Sequence, residues 1–500
     1  MKRILKVLFF LVIIFNLVLS AWLVLHHDLQ FTSEIARDFF LLDEMAKKKI
    51  ILIGPSSTTG LFHGPLWTYV NYPAYLIGRG NPEAVAWGWI AMVIAFLISG
   101  FYIARNLFNK TTAYFYVLMI SVYSVFHGGG LYNPHGAMFV IPAFFYFLIR
   151  YMQTQKLKYL IIHVLLAGVL IQFQMAIGIP FFILSFFYAV YVCVKAKKKK
   201  YLLSYLLIIL TLSNFILFDL RHEFLNTKLV LHFMTAAGRD NPNIISMFYQ
   251  RIKFMTTGVE FIRADPGYRD MVVFIIFSIF TFFQLKDKKF KAIYLSFLYF
   301  YFGFLVLSNL NSGGLLYFYL FPLFPFVFLI FSSFVTSRYS KIFIAIFFII
   351  FLFNIQSAMG DTIDASKRFI GQSNNSWLFY RNVSSKIFTG EEKEFGYYVY
   401  SPEVLAYQGK YAMLFQTKQS SKKTHYFQKK PITYLLIAPP PQGNPYMKDE
   451  WWKINLLHID RKPDSTINFV NGYKIEKYKL SEEEIKVPVE KNIDPGLTFR

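Results

Sequence analysis

Cysteine is almost missing from this chain of 500 residues, where Cys193 is the only one. No intrachain disulfide can form, and no zinc-cysteine cluster can be built. Charge is scarce too: 16% of residues are charged, against about a quarter in a soluble domain. There is no G-x-x-x-x-G-K-[ST] loop and no G-x-G-x-x-G, so no soluble nucleotide is indicated. His222 and His232 leave metal binding open, but no H-E-x-x-H or comparable spacing indicates a metal, and no other cofactor is expected. Solenoid periods and low-complexity blocks are also missing.

What the chain has in abundance is apolar sequence: 55% of residues are hydrophobic and 20% aromatic. Runs long enough to span a bilayer recur, which makes this a polytopic membrane protein. A net charge of +23 would suggest nucleic acid in a soluble protein. Here much of the Lys and Arg falls in short loops between apolar runs, so the partner is membrane lipid and not nucleic acid.

The first run covers about residues 4–25 after a basic Met1–Arg3; Leu19-Ser20-Ala21 would also pass as a signal-peptide cleavage site. Further runs lie at about 83–104, 111–127, 134–149, 158–174, 176–194, 201–218, 270–285, 292–308, 314–336 and 341–356, about eleven spans in all. With a cytoplasmic N-terminus, the short inside loops carry Arg105 and Lys110; Arg150, Lys156 and Lys158; Lys195 and Lys197 to Lys200; Lys286, Lys288, Lys289 and Lys291; and Arg338 with Lys341. The short outside turns at 127–135, 172–175 and 309–314 carry neither Lys nor Arg, the positive-inside pattern. The expected architecture is therefore mainly α. A transmembrane bundle fills residues 1–356, with exterior loops at about 27–82 and 219–269. Residues 357–500 form a small exterior α/β domain. Within it, residues 397–400 and 432–438 read as strands, Pro439-Pro440-Pro441 ends the second, and Trp451 and Trp452 suit a membrane interface.

The chemistry gathers in the exterior loops. After Thr32 or Ser33, either of which can cap a helix, Ile35, Phe39, Leu42 and Ala46 fall on one apolar face. Glu34 and Asp38 stand one turn apart, and Lys47 to Lys49 close the helix where cations suit its dipole. This reads as an amphipathic interfacial helix presenting a carboxylate pair, or simply one with solvated charges. Gly54-Pro55 and Gly64-Pro65 punctuate the loop that follows. The second loop opens Asp219-Leu220-Arg221-His222-Glu223-Phe224 and runs through Lys228, His232, Arg239 and Asp240. Carboxylates and cations on one membrane face suit a base that activates an acceptor while cations hold a phosphorylated donor. Arg221 could equally pair with Asp219 or Glu223.

Several stretches resemble the GT-C glycosyltransferases, the polyprenyl-phosphate-sugar-dependent enzymes related to protein O-mannosyltransferases and lipid A aminoarabinose transferases. They are Ser33 to Asp38, Leu61-Phe62-His63-Gly64-Pro65-Leu66-Trp67-Thr68-Tyr69, Tyr132-Asn133-Pro134 and Phe218 to Phe224. Several branches of the family have G-D-Q-G-R-D at the first stretch, which sets Glu34 on the usual catalytic aspartate and Arg37-Asp38 on the Arg-Asp after it. The aspartate is glutamate here, and the common K-P-P is H-G-P. The resemblance implies inverting transfer of a sugar from a polyprenyl-phosphate donor to a lipid, glycan or protein acceptor on the exterior face. Glu34 and Asp38 would be the catalytic carboxylates. Arg221, His222 and Arg37 would hold the donor phosphate, and His63, Tyr69 and Asn133 would line the substrate pocket. A transporter or flippase for a lipid-linked sugar is the alternative. Such proteins tend to show repeats and midspan charges, and neither is evident here.

Overall fold

The computed structural model describes residues 2–56, 60–236, 244–257, 268–309, 316–403, 405–441, 443–444 and 446–490. The chain is a multi-pass, mainly helical membrane protein that divides into two compact units. The first comprises 1–21, 44–74 and 87–362, and the second 22–43, 75–86 and 363–500. The tail therefore shares a unit with two pieces of the first loop.

Five helices among the described residues are long and apolar enough to span: Pro82–Leu107, Asn133–Thr154, Met175–Lys195, Lys291–Ser308 and Ser340–Phe369. The stretch Lys199–Thr211 with Ser213–Arg221, bent by 50°, would make a sixth. Shorter apolar helices occupy Ile4–Ser20, Leu157–Phe173, Met271–Gln284 and Leu323–Thr336. A helix of 17 residues is only about 26 Å long, less than a hydrocarbon core of about 30 Å. That shortfall separates the observed helices from the expected eleven full spans. The turn expected at 309–314 lies, beyond Asn309, outside the described residues.

The packing inside the first unit relies on small side chains and buried polar pairs. Asn16 Nδ2 donates to Ser121 Oγ at 2.9 Å, joining the first helix to Lys110–Val125. One turn along, a Cβ on Gly128 would lie 2.5 Å from the Ser20 carbonyl oxygen. Between helices in lipid, such close approach and shared hydrogen bonds replace the hydrophobic drive available in water. Cys193 is buried, with its sulfur 3.0 Å from the Tyr151 hydroxyl.

The two spans expected at 158–174 and 176–194 are the helices Leu157–Phe173 and Met175–Lys195, separated at Gln174 by one extended residue. The break leaves the Phe173 carbonyl to be satisfied, and Asn133 Nδ2 donates to it at 2.9 Å. The bend at Leu212 has the same kind of cause. Gln172 Nε2 donates to the Thr211 carbonyl at 2.7 Å and to Asn214 Oδ1 at 2.5 Å. A side chain bonded into the helix ladder is a recognised origin of kinks.

The second unit contains a five-stranded sheet in the order β2-β1-β3-β5-β4. Its strands are β1 Glu394–Tyr400, β2 Lys423–Tyr426, β3 Ile432–Ile437, β4 Ser465–Asn468 and β5 Lys474–Lys479. β1 is parallel to β2 and β3, whereas β5 pairs antiparallel with β3 and β4. The two strands expected from sequence are β1 and β3, which lie at the centre, and the proline run does follow β3. Trp452 does not face an interface: it is 8% exposed and packs in the sheet's core against Tyr400. Trp451 next to it is exposed.

Asp28 ties the first loop into this unit. It stands at the N-terminus of the helix Trp377–Phe388, taking N–H bonds from Leu29, Gly371 and Leu378 and the Ser376 hydroxyl at 2.6 Å. Burial pushes its carboxyl pKa up, against the opposing pull of Leu378, Ser376, Gly371 and Leu29. An anion suits a helix N-terminus, where N–H groups otherwise lack partners. Phe31 then packs on Trp377 with ring centroids 5.0 Å apart, and the Tyr411 hydroxyl donates to the Gly80 carbonyl.

Candidate active site

The carboxylate helix is Ser33–Lys48, with Glu34 in its first turn and Lys47 and Lys48 in its last. The apolar stripe expected along it is buried at Ile35, Phe39 and Leu42. The reading of a helix with solvated charges fails at two of its carboxylates: Asp38 is 7% exposed and Asp43 is 4%. Asp43 bonds Lys418 Nζ and accepts the Tyr75 hydroxyl at 3.2 Å. Asp38 lies 3.5 Å from Arg37 Nη2. Glu34 differs from both: it is exposed and makes no hydrogen bond or ion pair among the described residues. One helix thus carries a solvent-facing carboxylate one turn from a buried, Arg-contacted one, all within the second unit.

The other candidates lie in the first unit and follow one chain of contacts. Gly54 N–H donates to the His63 carbonyl at 2.8 Å and His63 N–H to the Pro55 carbonyl at 2.9 Å, so the two glycine-proline pairs of the loop run side by side. Tyr69 pins the start of this loop, its hydroxyl donating to the Ile51 carbonyl and accepting the Ile51 N–H. Gly64 N–H reaches the Gln172 carbonyl at 3.1 Å. Phe62 packs on Phe218 at 5.4 Å, and Phe218 in turn stacks on His222 at 4.2 Å. His63, Tyr69, Asn133, Arg221 and His222 are thereby linked through their neighbours. The Tyr69 hydroxyl and Asn133 amide are already committed to backbone, which gives them a positioning role in the loop and at the helix break.

Arg221 ends the helix Ser213–Arg221 and is exposed. Its expected rivals for pairing are otherwise placed. Asp219 accepts from the Asn226 and Thr227 N–H groups and the Thr227 hydroxyl, capping the helix Leu225–Ala236. Glu223 points its backbone through the left-handed region at φ 53. Arg221 makes no ion pair among the described residues. His222 Nδ1 is 2.8 Å from the Phe218 carbonyl; the hydrogen therefore sits on Nδ1, leaving Nε2 available. Beside this turn is an apolar cavity of about 420 Å³ whose walls include Ile171, Ile179, Ile208, Leu212, Ile216 and Leu231, with Asp219, Asn226 and Thr227 also lining it. Among the described residues, no group of three or more His, Cys, Asp or Glu converges as metal ligands would. Arg239 and Asp240 lie outside the described residues.

Sequence reasoning did not single out Gln172, Asn214, Asp28 or the Asp43–Lys418 pair. Amides at the end of an apolar run, and an Asp three residues past the first one, were the signals available.

A broken-helix membrane bundle with a first-loop carboxylate helix and a small α/β domain is the GT-C class of architecture. Residues 63–218 match the family described as dolichyl-phosphate-mannose-protein mannosyltransferase. The fold is that of ArnT from Cupriavidus metallidurans, solved bound to undecaprenyl phosphate. The TM-score is 0.55 at 12% identity, over 94% of this chain and 97% of that one. The oligosaccharyltransferase AglB from Archaeoglobus fulgidus, in complex with an inhibitory peptide and a dolichol-phosphate, aligns less well, with a TM-score of 0.44 at 11% identity over 90% of this chain and 70% of that one. No protein of curated function matches the sequence. The resemblance read from the motifs therefore stands on both a family match and the fold.

Gly64 tests the linkage among the first-unit candidates. A Cβ there would overlap Gln172 Oε1 and come within 2.8 Å of Gln172 Cα. Backbone cannot yield as a side-chain end can, and overpacking typically costs about 1–3 kcal/mol. Gly64→Ala should lower the unfolding temperature of the purified protein, and unchanged unfolding would show that the loop does not rest on Gln172.

Proposed function

We propose that this chain is a membrane glycosyltransferase that moves a sugar from a polyprenyl-phosphate donor to a lipid, glycan or protein acceptor on the exterior face, with inversion. One observation carries the reading: Glu34 is an unengaged carboxylate at the position of the family's catalytic acid. Glu34 takes the proton from an acceptor hydroxyl or amine. The freed lone pair attacks the anomeric carbon, the bond from that carbon to the phosphate oxygen breaks, and polyprenyl phosphate leaves. Asp38, held by Arg37, orients the helix turn that carries Glu34. Arg221 receives the leaving phosphate because guanidinium suits bidentate contact with phosphate oxygens, and His222 can add a hydrogen bond from Nε2 in its imidazolium form. The apolar cavity beside Arg221 has the character a polyprenyl tail needs, and the related ArnT is known bound to undecaprenyl phosphate. His63, Tyr69 and Asn133 shape the substrate pocket by fixing the loop and the helix break.

Glu34→Gln keeps volume and reach but cannot accept a proton. It should cut transfer by about 10²–10⁴-fold while donor binding stays near normal. Glu34→Asp should retain partial activity. Wild-type turnover by Glu34→Gln would remove Glu34 from the mechanism, and an inactive Asp38→Asn in the same assay would move the base one turn along the helix. Activity in both variants, with transport of a lipid-linked sugar demonstrated, would replace the enzyme with a transporter.

Arg221→Ala should weaken donor binding by roughly 1.5–3 kcal/mol, the value of a charge-assisted contact. Arg221→Lys should recover only part of it. Intact donor affinity in Arg221→Ala would mean the arginine does not hold the phosphate.

The same reading places the N-terminus in the cytoplasm and residues 357–500 outside. Cys193 gives no readout of this because it is buried against Tyr151. In a Cys193→Ser background, an impermeant maleimide should label Lys448→Cys in intact cells and miss Lys199→Cys, both positions being exposed. The opposite labelling would invert the arrangement.

A further inference from the structure

The second unit contains a cavity that the transfer chemistry does not use. After β1 the chain runs through the helix Tyr407–Gln419 to β2 on one side; after β3 it runs to β5 and β4 on the other. The connections leaving β1 and β3 thus diverge. In α/β sheets the crevice at the carboxyl ends of two such strands is where ligands bind. A cavity of about 370 Å³ lies there, lined by Ser401 and Glu403 just past β1, by Pro439 to Pro441 just past β3, and by Gln408 and Gly409 in the first turn of the helix. Its size falls within the roughly 300–1,000 Å³ of small-molecule sites.

Two tyrosines complete the wall. Tyr380 is 5% exposed and Tyr473 2%, yet neither hydroxyl has a hydrogen bond among the described residues. Both hydroxyls open onto the cavity, where a ligand can supply the hydrogen bonds that the described residues do not. The Tyr473 hydroxyl is aimed at the helix turn, since a Cβ on Gly409 would sit 3.1 Å from it. Tyr380 is near enough to Glu403 to feel its charge.

The geometry points to a carbohydrate site in this cavity, one that takes a hydroxyl-rich sugar without acidic groups and shares no residue with the proposed transfer site. The tyrosine hydroxyls, the Gln408 amide and the Glu403 carboxylate give the mixed donors and acceptors that sugar hydroxyls match. The proline run offers apolar surface for a sugar's C–H face. Among the described residues no Lys or Arg lines the cavity, so none of them balances Glu403 against an anionic ligand. An extended peptide would favour a sheet edge, and the edges here are β2 and β4, whereas the cavity opens at the ends of β1 and β3. As a second binding site, it would hold the glycan part of an acceptor; only that last step rests on the transferase reading.

The test uses the full chain in a detergent without a sugar headgroup, passed over immobilised neutral, amino and acidic oligosaccharides beside a peptide array. Wild type should be retained by a subset of neutral or amino glycans. The double variant Tyr380→Phe/Tyr473→Phe, which loses only two oxygens, should bind at least about fivefold more weakly while unfolding at the wild-type temperature. Ser401→Trp, filling the cavity, should abolish retention. Glu34→Gln should bind like wild type, which separates this site from the transfer chemistry whichever way the transfer assay falls. No retention, retention by acidic glycans or peptides alone, or equal retention of wild type and both cavity variants would overturn the proposal.

Discussion

Gln172 makes three connections that join separate parts of the first unit. Its backbone carbonyl accepts Gly64 N–H, its amide donates to the Thr211 carbonyl, and the same amide reaches Asn214 Oδ1. Asn214 passes the connection on, donating to the Leu52 carbonyl at 2.9 Å. Irregular backbone shielded from water survives only where its polar groups find partners inside the protein. The broken helix at Gln174, the bend at Leu212 and the glycine-proline loop are three such irregularities, and they satisfy one another. Asn133 closes the set at the Phe173 carbonyl. Because those breaks are fixed, the turn carrying Arg221 and His222 and the loop carrying His63 are fixed with them.

In the second unit a carboxylate plays the corresponding part. Asp28 accepts four hydrogen bonds, three of them from the segment 371–378 far along the chain. Asp43 adds Lys418 and Tyr75 to the same unit. Buried polar and charged groups need hydrogen-bond or ion-pair partners: Asp28 is satisfied by hydrogen bonds alone, and Asp43 by Lys418 and the Tyr75 hydroxyl. Glu34, on the helix between them, does not spend its carboxylate on the fold. That contrast sets Glu34 apart from the carboxylates that hold the scaffold.

Much of the organisation was legible because it follows from local rules. Spacing placed the helix from Ser33, with Ile35, Phe39 and Leu42 inward, and the single polar stretch at Gln172 to Gln174 placed the division between two helices within a residue. β1 and β3 were readable as aromatic and β-branched runs ended by turn residues. β2 is four residues long with a half-buried pattern, and β4 is exposed throughout. Short, polar edge strands carry little of the alternation that marks a strand. Trp452 was misplaced because a tryptophan in a polar tail suits an interface or a small core equally well, and only the packing against Tyr400 decides.

The sequence by itself determined that the chain crosses a membrane several times, and it named Glu34, Asp38 and Arg221 as the residues to weigh. Composition, periodicity and short motifs are local quantities, and a single chain displays them directly. Only the tertiary structure decided that Asp38 is buried and Glu34 is not, that Asp219 caps a helix and leaves Arg221 without an ion pair among the described residues, and that two buried tyrosines face a cavity at the strand ends. These depend on how the chain packs, over eight residues for Asp219 with Thr227 and over ninety for Tyr380 with Tyr473, and no spacing rule connects them. The fold brings those groups within hydrogen-bonding or contact distance, and that proximity sets which polar side chains are engaged and which remain available to a substrate.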